Sequence, residues 1–416
     1  MKPTLTRMLL LALAGLAWPL PRTVTAADAP PATLHAGDRE AATRLQVFLD
    51  RANFGPGKID GRFGGFSEKA LGLYREAHGL PALPAAATAA PASPKEEGKP
   101  EKTVALPDLS DMDLSSVKEV FVDYTVTEAD VKATGKVPKA VPEQAKLKWL
   151  PYETVAEAVA ERYHVDVDYL KELNPGKVEA LKAGDVLKVP NVEPFDLAGV
   201  KALPLLDVLA EKAQKAEAKA AHAKGKEKGG KKAQGEAGKK DGKAKGGEVP
   251  PPPQPKPEGE EKGAKTAEAA PTAAVPGMLS PEEIALKVDT KDNMLRLFEK
   301  GKLVAAYPVT IGSAQTESPL GEWKVKGVAL LPNFRYDLSF LKTGERSSKT
   351  HLLPPGPNNP VGVVWVALDK PGIGLHGTSD PDAIGRSASH GCIRLANWDI
   401  VRLATRVRAG VAVSIH

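Results

Sequence analysis

The stretch that decides the fold of the C-terminal part of the chain is GLHGTSDPDAIGRSASHGCIRL, residues 374–395. Upstream of it, apolar and polar residues alternate in two β-like runs on either side of Lys300-Gly301, a pattern typical of strands joined by a turn. Residues 361–368 are a β-branched apolar run, as expected of a buried strand. These patterns predict a single β-rich domain over residues 278–416.

The only cysteine of the 416-residue chain, Cys392, lies in this stretch. A lone cysteine is an inert buried thiol, an intermolecular bridge or a reactive nucleophile. Two histidines, His376 and His390, lie within sixteen positions of it, and a glycine follows each. A thiolate needs a neighbouring base or cation at neutral pH, and an acyl-transfer intermediate needs backbone N–H donors. The surroundings of Cys392 therefore favour the nucleophile.

A metal site is the main rival interpretation of this cluster. His376, His390 and Cys392 are competent zinc ligands, but the sequence has no fourth cysteine or carboxylate spaced to close the site. A serine hydrolase is disfavoured because the chain contains no Gly-x-Ser-x-Gly. We therefore predict covalent cysteine catalysis without a metal or other cofactor.

The N-terminal residues 1–26 have the pattern of a secretory signal peptide. A short basic region is followed by thirteen apolar residues, 8–20, and by Val24-Thr25-Ala26 before the expected cleavage point. A membrane-spanning helix needs about 20 apolar residues, so a retained anchor is the weaker alternative. The sequence predicts export to the periplasm or cell wall, with no transmembrane segment after cleavage.

The mature chain divides into two further modules and two connecting segments. Residues 38–82 predict two amphipathic helices around a turn at Asp60-Gly61, with Ser67 as N-cap of the second helix. Residues 119–195 predict a strand, two helices and a closing strand. His164 and Asp166 fall at a helix end there and are assigned no chemistry.

The two connecting segments lack a periodic apolar pattern. Residues 83–118 are interpreted as a linker, because their Ala- and Pro-rich first part cannot bury enough apolar surface to order itself. Residues 196–277 are rich in Lys, Ala, Gly and Pro and are interpreted as a disordered tether.

Composition and charge exclude several classes of protein. One cysteine, 5% aromatic residues and unpatterned glycine and proline exclude a disulfide scaffold, a coiled coil and collagen. The net charge is +5, but residues 27–210 hold 22 basic and 29 acidic residues, whereas 211–270 hold 15 and 10. Residues 271–416 hold 17 basic and 13 acidic residues. The positive charge is therefore divided between the tether and the C-terminal part and describes no single folded surface, which argues against a nucleic-acid partner.

The C-terminal motif closely resembles that of one enzyme family. LHGTSDPDAIGRSASHGCIRLANWDIVRLA, residues 375–404, looks like the signature of the L,D-transpeptidase (YkuD-type) catalytic domain. The resemblance implies a mixed β-sandwich, with Cys392 as nucleophile and His376 as proton donor and acceptor. It also implies that Arg394 binds substrate. The residues that it implies for the oxyanion hole or its support are Ser389, His390, Gly391 and Gly377.

The two N-terminal modules resemble wall-binding families. Residues 45–81 follow the pattern of the small three-helix peptidoglycan-binding domain, and residues 152–192 look like a LysM module, which binds N-acetylglucosamine-containing glycans. The sequence departs from the LysM pattern by an insertion of about twenty residues after Tyr124-Thr125-Val126. The implied partners are peptidoglycan glycan strands and stem peptides.

Together these resemblances imply a peptidoglycan L,D-transpeptidase that forms a thioester on Cys392, releases D-alanine and passes the acyl group to an amine. The acceptor would be a second stem, giving a 3→3 crosslink, or a protein. Two alternatives remain: a wall-binding scaffold without catalysis, favoured by the two modules and the tether, and an L,D-carboxypeptidase with water as acceptor.

Overall fold

The computed structural model of the chain describes residues 36–83, 105–206, 279–312, 318–339, 347–385 and 391–416. The expected signal peptide, 1–26, lies outside the described residues, and so does most of the expected tether. In the described part of the chain, no helix has both the length and the apolar character needed to cross a membrane.

The N-terminal helical module consists of α1, Ala36–Arg51, and α2, Gly65–Ala77. Gly61 turns the chain between them at a φ of +67°, which confirms the turn predicted at Asp60-Gly61. Ser67 is not the N-cap: α2 begins after Gly64, and Ser67 Oγ accepts a hydrogen bond from Gln46 Nε2 at 3.2 Å. Within residues 36–83 there are two helices, whereas the family resemblance implies three.

The LysM-like module pairs its first and last strands. Its elements, in chain order, are β1 Phe121–Thr125, α3 Glu128–Lys132, α4 Val141–Gln144, α5 Val155–Arg162, α6 Val167–Leu173 and β2 Val186–Pro190. The strands β1 and β2 are antiparallel, and the inserted residues form α3 and α4. Thr154 and Asp166 cap α5 and α6 through their side-chain oxygens. The strand, helix, helix, strand order is therefore present with two added short helices.

The C-terminal domain is built on one mixed sheet. Its strands are β3 Ile284–Asp289, β4 Met294–Glu299, β5 Lys302–Pro308, β6 Gly321–Leu330, β7 Phe334–Asp337, β8 Thr350–Leu353, β9 Val364–Leu368, β10 Gly374–His376, β11 Ile393–Arg394 and β12 Ala412–Ile415, with helix α7, Asn397–Ala404, before β12. Eight strands form a sheet in the order β11-β10-β9-β6-β12-β3-β4-β5, and β7 pairs separately with β8. The pairs β10–β11 and β3–β12 are parallel. A mixed β-rich domain is confirmed, but it consists of one large sheet and a separate hairpin.

The apolar side chains of this sheet and of α7 form one core. Alternation along β3, in which Ile284, Leu286 and Val288 are all buried, points every second residue to the same face. On α7, Ile400 and Leu403 are completely buried against that core. Because β10 and β11 lie at one end of this sheet, the packed core fixes the position of the motif residues carried by both strands.

The three units dock on one another. A second core combines apolar residues of the helical module, the LysM-like module and β4–β5 of the C-terminal domain. The outer edge of β5 is covered by the helical module: Gly55 N–H donates to Ala306 O at 2.7 Å, and Ala306 N–H donates to Asn53 O at 2.9 Å. Backbone pairing of this kind satisfies an edge that would otherwise be open to solvent or to another strand.

A buried ion cluster lies where the units meet. Asp50 of α1 accepts hydrogen bonds from His164 Nδ1 at 2.9 Å and from Arg402 Nη2 at 2.8 Å. His164 also stacks on Trp398, with ring centroids 4.9 Å apart. His164, which the sequence interpretation left as a plain helix end, therefore joins all three units.

Two domain boundaries differ from those expected. The linker was expected over 83–118, but Val117 is fully buried and Arg75 pairs with Asp111, so residues 105–118 pack on the helical module. The tether was expected to begin at 196, but Val200 and Leu205 belong to the core of the C-terminal domain. Both segments hold isolated apolar residues, and burial of one such side chain contributes about 1.5 to 3 kcal/mol without any periodic pattern.

Candidate active site

The end of the sheet brings Cys392 and His376 to one face. Strands β10 and β11 run parallel, with His376 opposite Arg394. Cys392 precedes β11 directly and lies two residues before Arg394, and alternate residues of a strand point to the same face. The thiol, the imidazole and the guanidinium therefore share one side of the sheet. Gly391 turns the chain into β11 with a φ of +98°, which favours glycine.

The thiol of Cys392 is protonated in the resting site. Burial raises its pKa, while a hydrogen bond with the backbone of Gly374 and the positive charge of Arg394 oppose the shift. Sγ also lies 3.6 Å from the carbonyl oxygen of Gly372. Because burial prevails, the sulfur needs a base to become a nucleophile at neutral pH.

The imidazole of His376 is neutral and has a defined tautomer. His376 is only 4% exposed, and burial lowers its pKa to about 4; the hydrogen bond to Gly377 opposes this shift and Arg394 adds to it. Nδ1 lies 2.6 Å from the carbonyl oxygen of Gly377. Since a carbonyl only accepts, Nδ1 must carry the proton, and Nε2 holds the basic lone pair.

Trp365 is part of this site and was missed by the sequence interpretation. It lies opposite His376 across β9 and β10, and the two rings stack at 5.2 Å between centroids, 11° from parallel. The indole also covers Gly374, where any Cβ would come within 2.8 Å of the ring. One feature of the sequence could have pointed to Trp365: it stands within the apolar run that forms β9. In the structure Trp365 is half-buried, between the buried residues Val364 and Val366.

The remaining expected site residues have different outcomes. Gly391 and Gly377 lie beside Cys392 and His376, respectively. The Nε of Arg394 is buried, and among the described residues it has no hydrogen-bond partner. Ser389 and His390 lie outside the described residues. Among the side chains that are described, no three of His, Cys, Asp or Glu are grouped to hold a metal ion.

A cavity of about 230 Å³ lies at the junction of the units and away from the thiol. Lys58 of the helical module, Tyr152 and Glu161 of the LysM-like module, and Asn358 and Trp398 of the C-terminal domain contribute to its wall. Neither Cys392 nor His376 lines it. The candidate catalytic groups thus lie at the end of the sheet, whereas the cavity lies at the interface between the units.

Comparisons with known proteins agree on one class of domain. A family model of the L,D-transpeptidase catalytic domain, YkuD, matches residues 283–415. The chain is 32% identical to YkuD of Bacillus licheniformis, a protein named as an L,D-transpeptidase, over 149 residues that cover 35% of this chain and 75% of that protein. Its identity to the Bacillus subtilis protein of the same name is 28% over 152 residues, covering 36% and 76%. The chain belongs to the YkuD family of L,D-transpeptidases.

Similar solved structures carry the same family name. An L,D-transpeptidase from Mycobacterium smegmatis is 18% identical, with a TM-score of 0.27, over 32% of this chain and 58% of that one. The catalytic domain of the Enterococcus faecium L,D-transpeptidase is also 18% identical, with a TM-score of 0.27, over 32% of this chain and 98% of that domain.

Proposed function

We propose that the protein is an exported peptidoglycan L,D-transpeptidase with Cys392 as nucleophile and His376 as general base. The observation that carries this proposal is the neutral imidazole, held by Gly377 through Nδ1 and sharing a sheet face with the thiol. A neutral base of this kind can accept the thiol proton at neutral pH. Membership of the L,D-transpeptidase family supports the same reaction class.

In the first half of the reaction, Sγ of Cys392 attacks the carbonyl carbon of the third residue, an L-centred diamino acid, in a tetrapeptide stem. Nε2 of His376 takes the thiol proton as the C–S bond forms. Backbone N–H groups of 390–392 stabilise the oxyanion. The intermediate collapses when the C–N bond breaks, and His376 returns its proton to the nitrogen of departing D-alanine. The products are a thioester and free D-alanine.

In the second half, an amine attacks the thioester carbon and His376 accepts the proton that the amine releases. The C–S bond breaks, the sulfur recovers its proton from His376, and an amide forms. The side-chain amine of a second stem gives a 3→3 crosslink, and an amine of a protein gives covalent attachment. Water in place of the amine gives a carboxylic acid, which is the carboxypeptidase outcome.

Arg394 and the N-terminal modules would deliver the substrate. The buried Nε of Arg394, which has no hydrogen-bond partner within the described residues, is a donor that could bind a carbonyl or carboxylate of the stem. The LysM-like and helical modules would bind glycan strands, so that stems are concentrated near Cys392. The proposed location is the periplasm or cell wall, which depends on the signal sequence expected at 1–26.

The test is incubation of the mature protein with defined disaccharide-tetrapeptides, followed by identification of the products by mass. We expect D-alanine release and a dimer joined 3→3, whereas a tripeptide product alone indicates the carboxypeptidase. Cys392→Ala should lose both products, because Cys392 is the only cysteine in the sequence and covalent catalysis depends on it. Crosslinking by Cys392→Ala would overturn the proposal. Failure of a carbapenem to add its mass to wild-type protein would favour the scaffold without catalysis.

The role of His376 has its own measurement. His376→Ala should slow acylation of Cys392 by a carbapenem by about 10²-fold or more, which is typical for loss of a general base. Acylation at the wild-type rate would move the base assignment to His390.

A further inference from the structure

The backbone that holds the catalytic imidazole is itself held by a buried side chain. His376 is oriented by the carbonyl of Gly377, and Gly377 N–H donates to Val364 O at 3.2 Å. The amide of Asn397 lies directly against Gly377, so that a Cβ on this glycine would overlap Asn397 Oδ1. Gly362 lies against the same oxygen, and a Cβ there would overlap it too. The side chain of Asn397 therefore fills the space that determines where Gly377 can lie.

Both ends of the Asn397 side chain are hydrogen-bonded. Oδ1 accepts from Val363 N–H at 3.1 Å, and Nδ2 donates to Glu161 Oε1 at 2.8 Å. Asn397 has no exposed surface, so water cannot replace either partner. Buried hydrogen bonds with fixed donors and acceptors give a side chain one orientation. The direction of the amide is therefore set by Val363 on one side and Glu161 on the other.

Glu161 comes from a different unit of the protein. It lies in α5 of the LysM-like module and is 8% exposed. Its second oxygen, Oε2, accepts a hydrogen bond from Tyr152 OH of the same module. A continuous path of contacts thus runs from Tyr152 and Glu161 through Asn397 to the turn that anchors His376.

We propose that Glu161 and Asn397 are positioning residues for His376, so that the docked LysM-like module completes the geometry of the active site. The inference rests on the proposed role of His376 as base. Loss of the Glu161–Asn397 bond would release the amide, let Gly377 shift and turn the imidazole away from the thiol. Misplacement of a catalytic group by about 1 Å can cost 10²-fold in rate, whereas binding of a ligand to the site would change little.

The test uses a pair of substitutions that removes and then restores this hydrogen bond in the full chain. Asn397→Asp keeps the shape and the acceptor for Val363 N–H, but replaces the amide donor facing Glu161 with a second carboxyl group, so that the two buried acids repel each other or compete for one proton. Adding Glu161→Gln supplies a donor from the other side. We expect the saturating rate of carbapenem acylation to fall about tenfold or more in Asn397→Asp, with the β-lactam concentration for half-saturation unchanged. The double variant should recover most of that rate.

Asn358→Ala is the matched control. Asn358 Nδ2 donates to Pro151 O at 2.8 Å, so it joins the same two units without touching Gly377. This variant should acylate at the wild-type rate, even where its melting temperature falls as far as that of Asn397→Asp. The imidazole ¹⁵N resonances of His376 should change in Asn397→Asp and stay unchanged in the control.

Three results would overturn the inference: wild-type acylation by Asn397→Asp, a double variant as slow as the single one, or a control as slow as either. Where Asn397→Asp does not fold, Glu161→Gln alone decides the matter. The Glu161→Gln side chain still offers an oxygen that accepts from Asn397 Nδ2. This variant must therefore be acylated by the carbapenem at a rate within a few-fold of wild type, and a tenfold lower rate contradicts the proposed geometry. Failure of the proposed function is recognised separately, by wild-type acylation in His376→Ala or product formation by Cys392→Ala.

Discussion

At the scale of single residues, the thiol and the imidazole of the site rest in their neutral forms. Burial raises the pKa of Cys392 and lowers that of His376 to about 4. At Cys392 the positive charge of Arg394 favours the thiolate, but burial opposes it and is the larger effect. At His376 burial and the charge of Arg394 both disfavour the imidazolium, and burial is again the larger effect. A preformed thiolate–imidazolium pair is therefore disfavoured, and the proton should move only as the carbonyl is attacked.

This resting state predicts different pH dependences for two reagents. Alkylation by iodoacetamide requires a thiolate, so we expect it to be slow at pH 7 and to rise only above the usual thiol pKa of about 8.5. In the proposed mechanism His376 is the base for acylation by a carbapenem, so acylation should proceed at pH 7 and decline as the pH falls through about 4. Intact mass measured over time at each pH gives both rates. His376→Ala is the control and should leave alkylation almost unchanged, whereas an alkylation rate that levels off below pH 7 contradicts a neutral pair.

At the scale of elements, Thr310 pairs with β11, the strand that directly follows Cys392. Its backbone exchanges two hydrogen bonds with Arg394, both of 3.0 Å. Its hydroxyl donates to Ala383 O at 3.0 Å and accepts from Gly385 N–H at 2.8 Å. The ring of Phe66 from α2 lies where a Cβ of Gly385 would be. One threonine and one aromatic ring therefore fix the turn that leads towards Cys392.

We expect Thr310→Val to remove both hydroxyl bonds with little change in shape. Both bonds are part-buried, and the net contribution of a typical hydrogen bond is about 0.5 to 1.5 kcal/mol, so urea unfolding should detect the loss of the pair. Because the same turn leads to the nucleophile, carbapenem acylation should also slow by several-fold. Thr310→Ser keeps the hydroxyl and serves as control. A stability loss with an unchanged acylation rate would show that the turn does not position Cys392.

Local features of these elements could be predicted from sequence. The β4–β5 hairpin turns at Lys300 and Gly301, with φ values of +49° and +75°, because two residues with positive φ match the twist of paired strands. The turn between α1 and α2 could also be placed at Asp60-Gly61, where Gly61 has a φ of +67°. Such features depend on neighbours in the chain, or on short motifs whose chemistry is local.

Contacts between distant segments could not be predicted. The stacking of Trp365 on His376 depends on the register of β9 and β10, which no single strand reveals. The role of His164 depends on Asp50 and Arg402, which belong to two other units. Glu161 was overlooked for the same reason, because its partner Asn397 lies 236 residues away. A buried polar residue has meaning only once its partner is known.

At the scale of the whole molecule, docking changes how the two N-terminal modules would act in the proposed function. A flexible tether of sixty residues has a root-mean-square reach of about 40 Å, and a module on such a tether raises local concentration without fixing an orientation. Here the LysM-like module contacts the C-terminal domain through Asn358 and Asn397. Leu206, within the first part of the expected tether, and Leu279, just after its end, both pack on that domain's core. Bound glycan would therefore be held at a defined distance from Cys392.

The same docking buries acids whose protonation links stability to pH. Burial raises the pKa of Asp399 to about 8 and that of Glu161 to about 7. Arg402 opposes the shift of Asp399 and Asp50 adds to it. A folded protein that retains a proton after the unfolded chain has lost it becomes less stable as the pH rises. His164 and His376, whose pKa values are lowered, act in the opposite direction, but only below the usual histidine pKa of about 6.5.

Between pH 7 and 8 Asp399 should make the larger contribution to this decline, because Glu161, with a pKa of about 7, has already lost about half of its proton at pH 7. Over this unit of pH the folded protein still holds the Asp399 proton, so the free energy of unfolding should fall by about 1 kcal/mol. We expect Asp399→Asn to abolish most of this decline, because the amide mimics the protonated carboxyl and does not titrate. Urea unfolding at pH 7 and pH 8 measures the slope, with exposed Asp123→Asn as a control for charge. An Asp399→Asn variant that loses stability over this interval as steeply as wild type would mean that Asp399 is ionised within the docked units, with its charge balanced by Arg402.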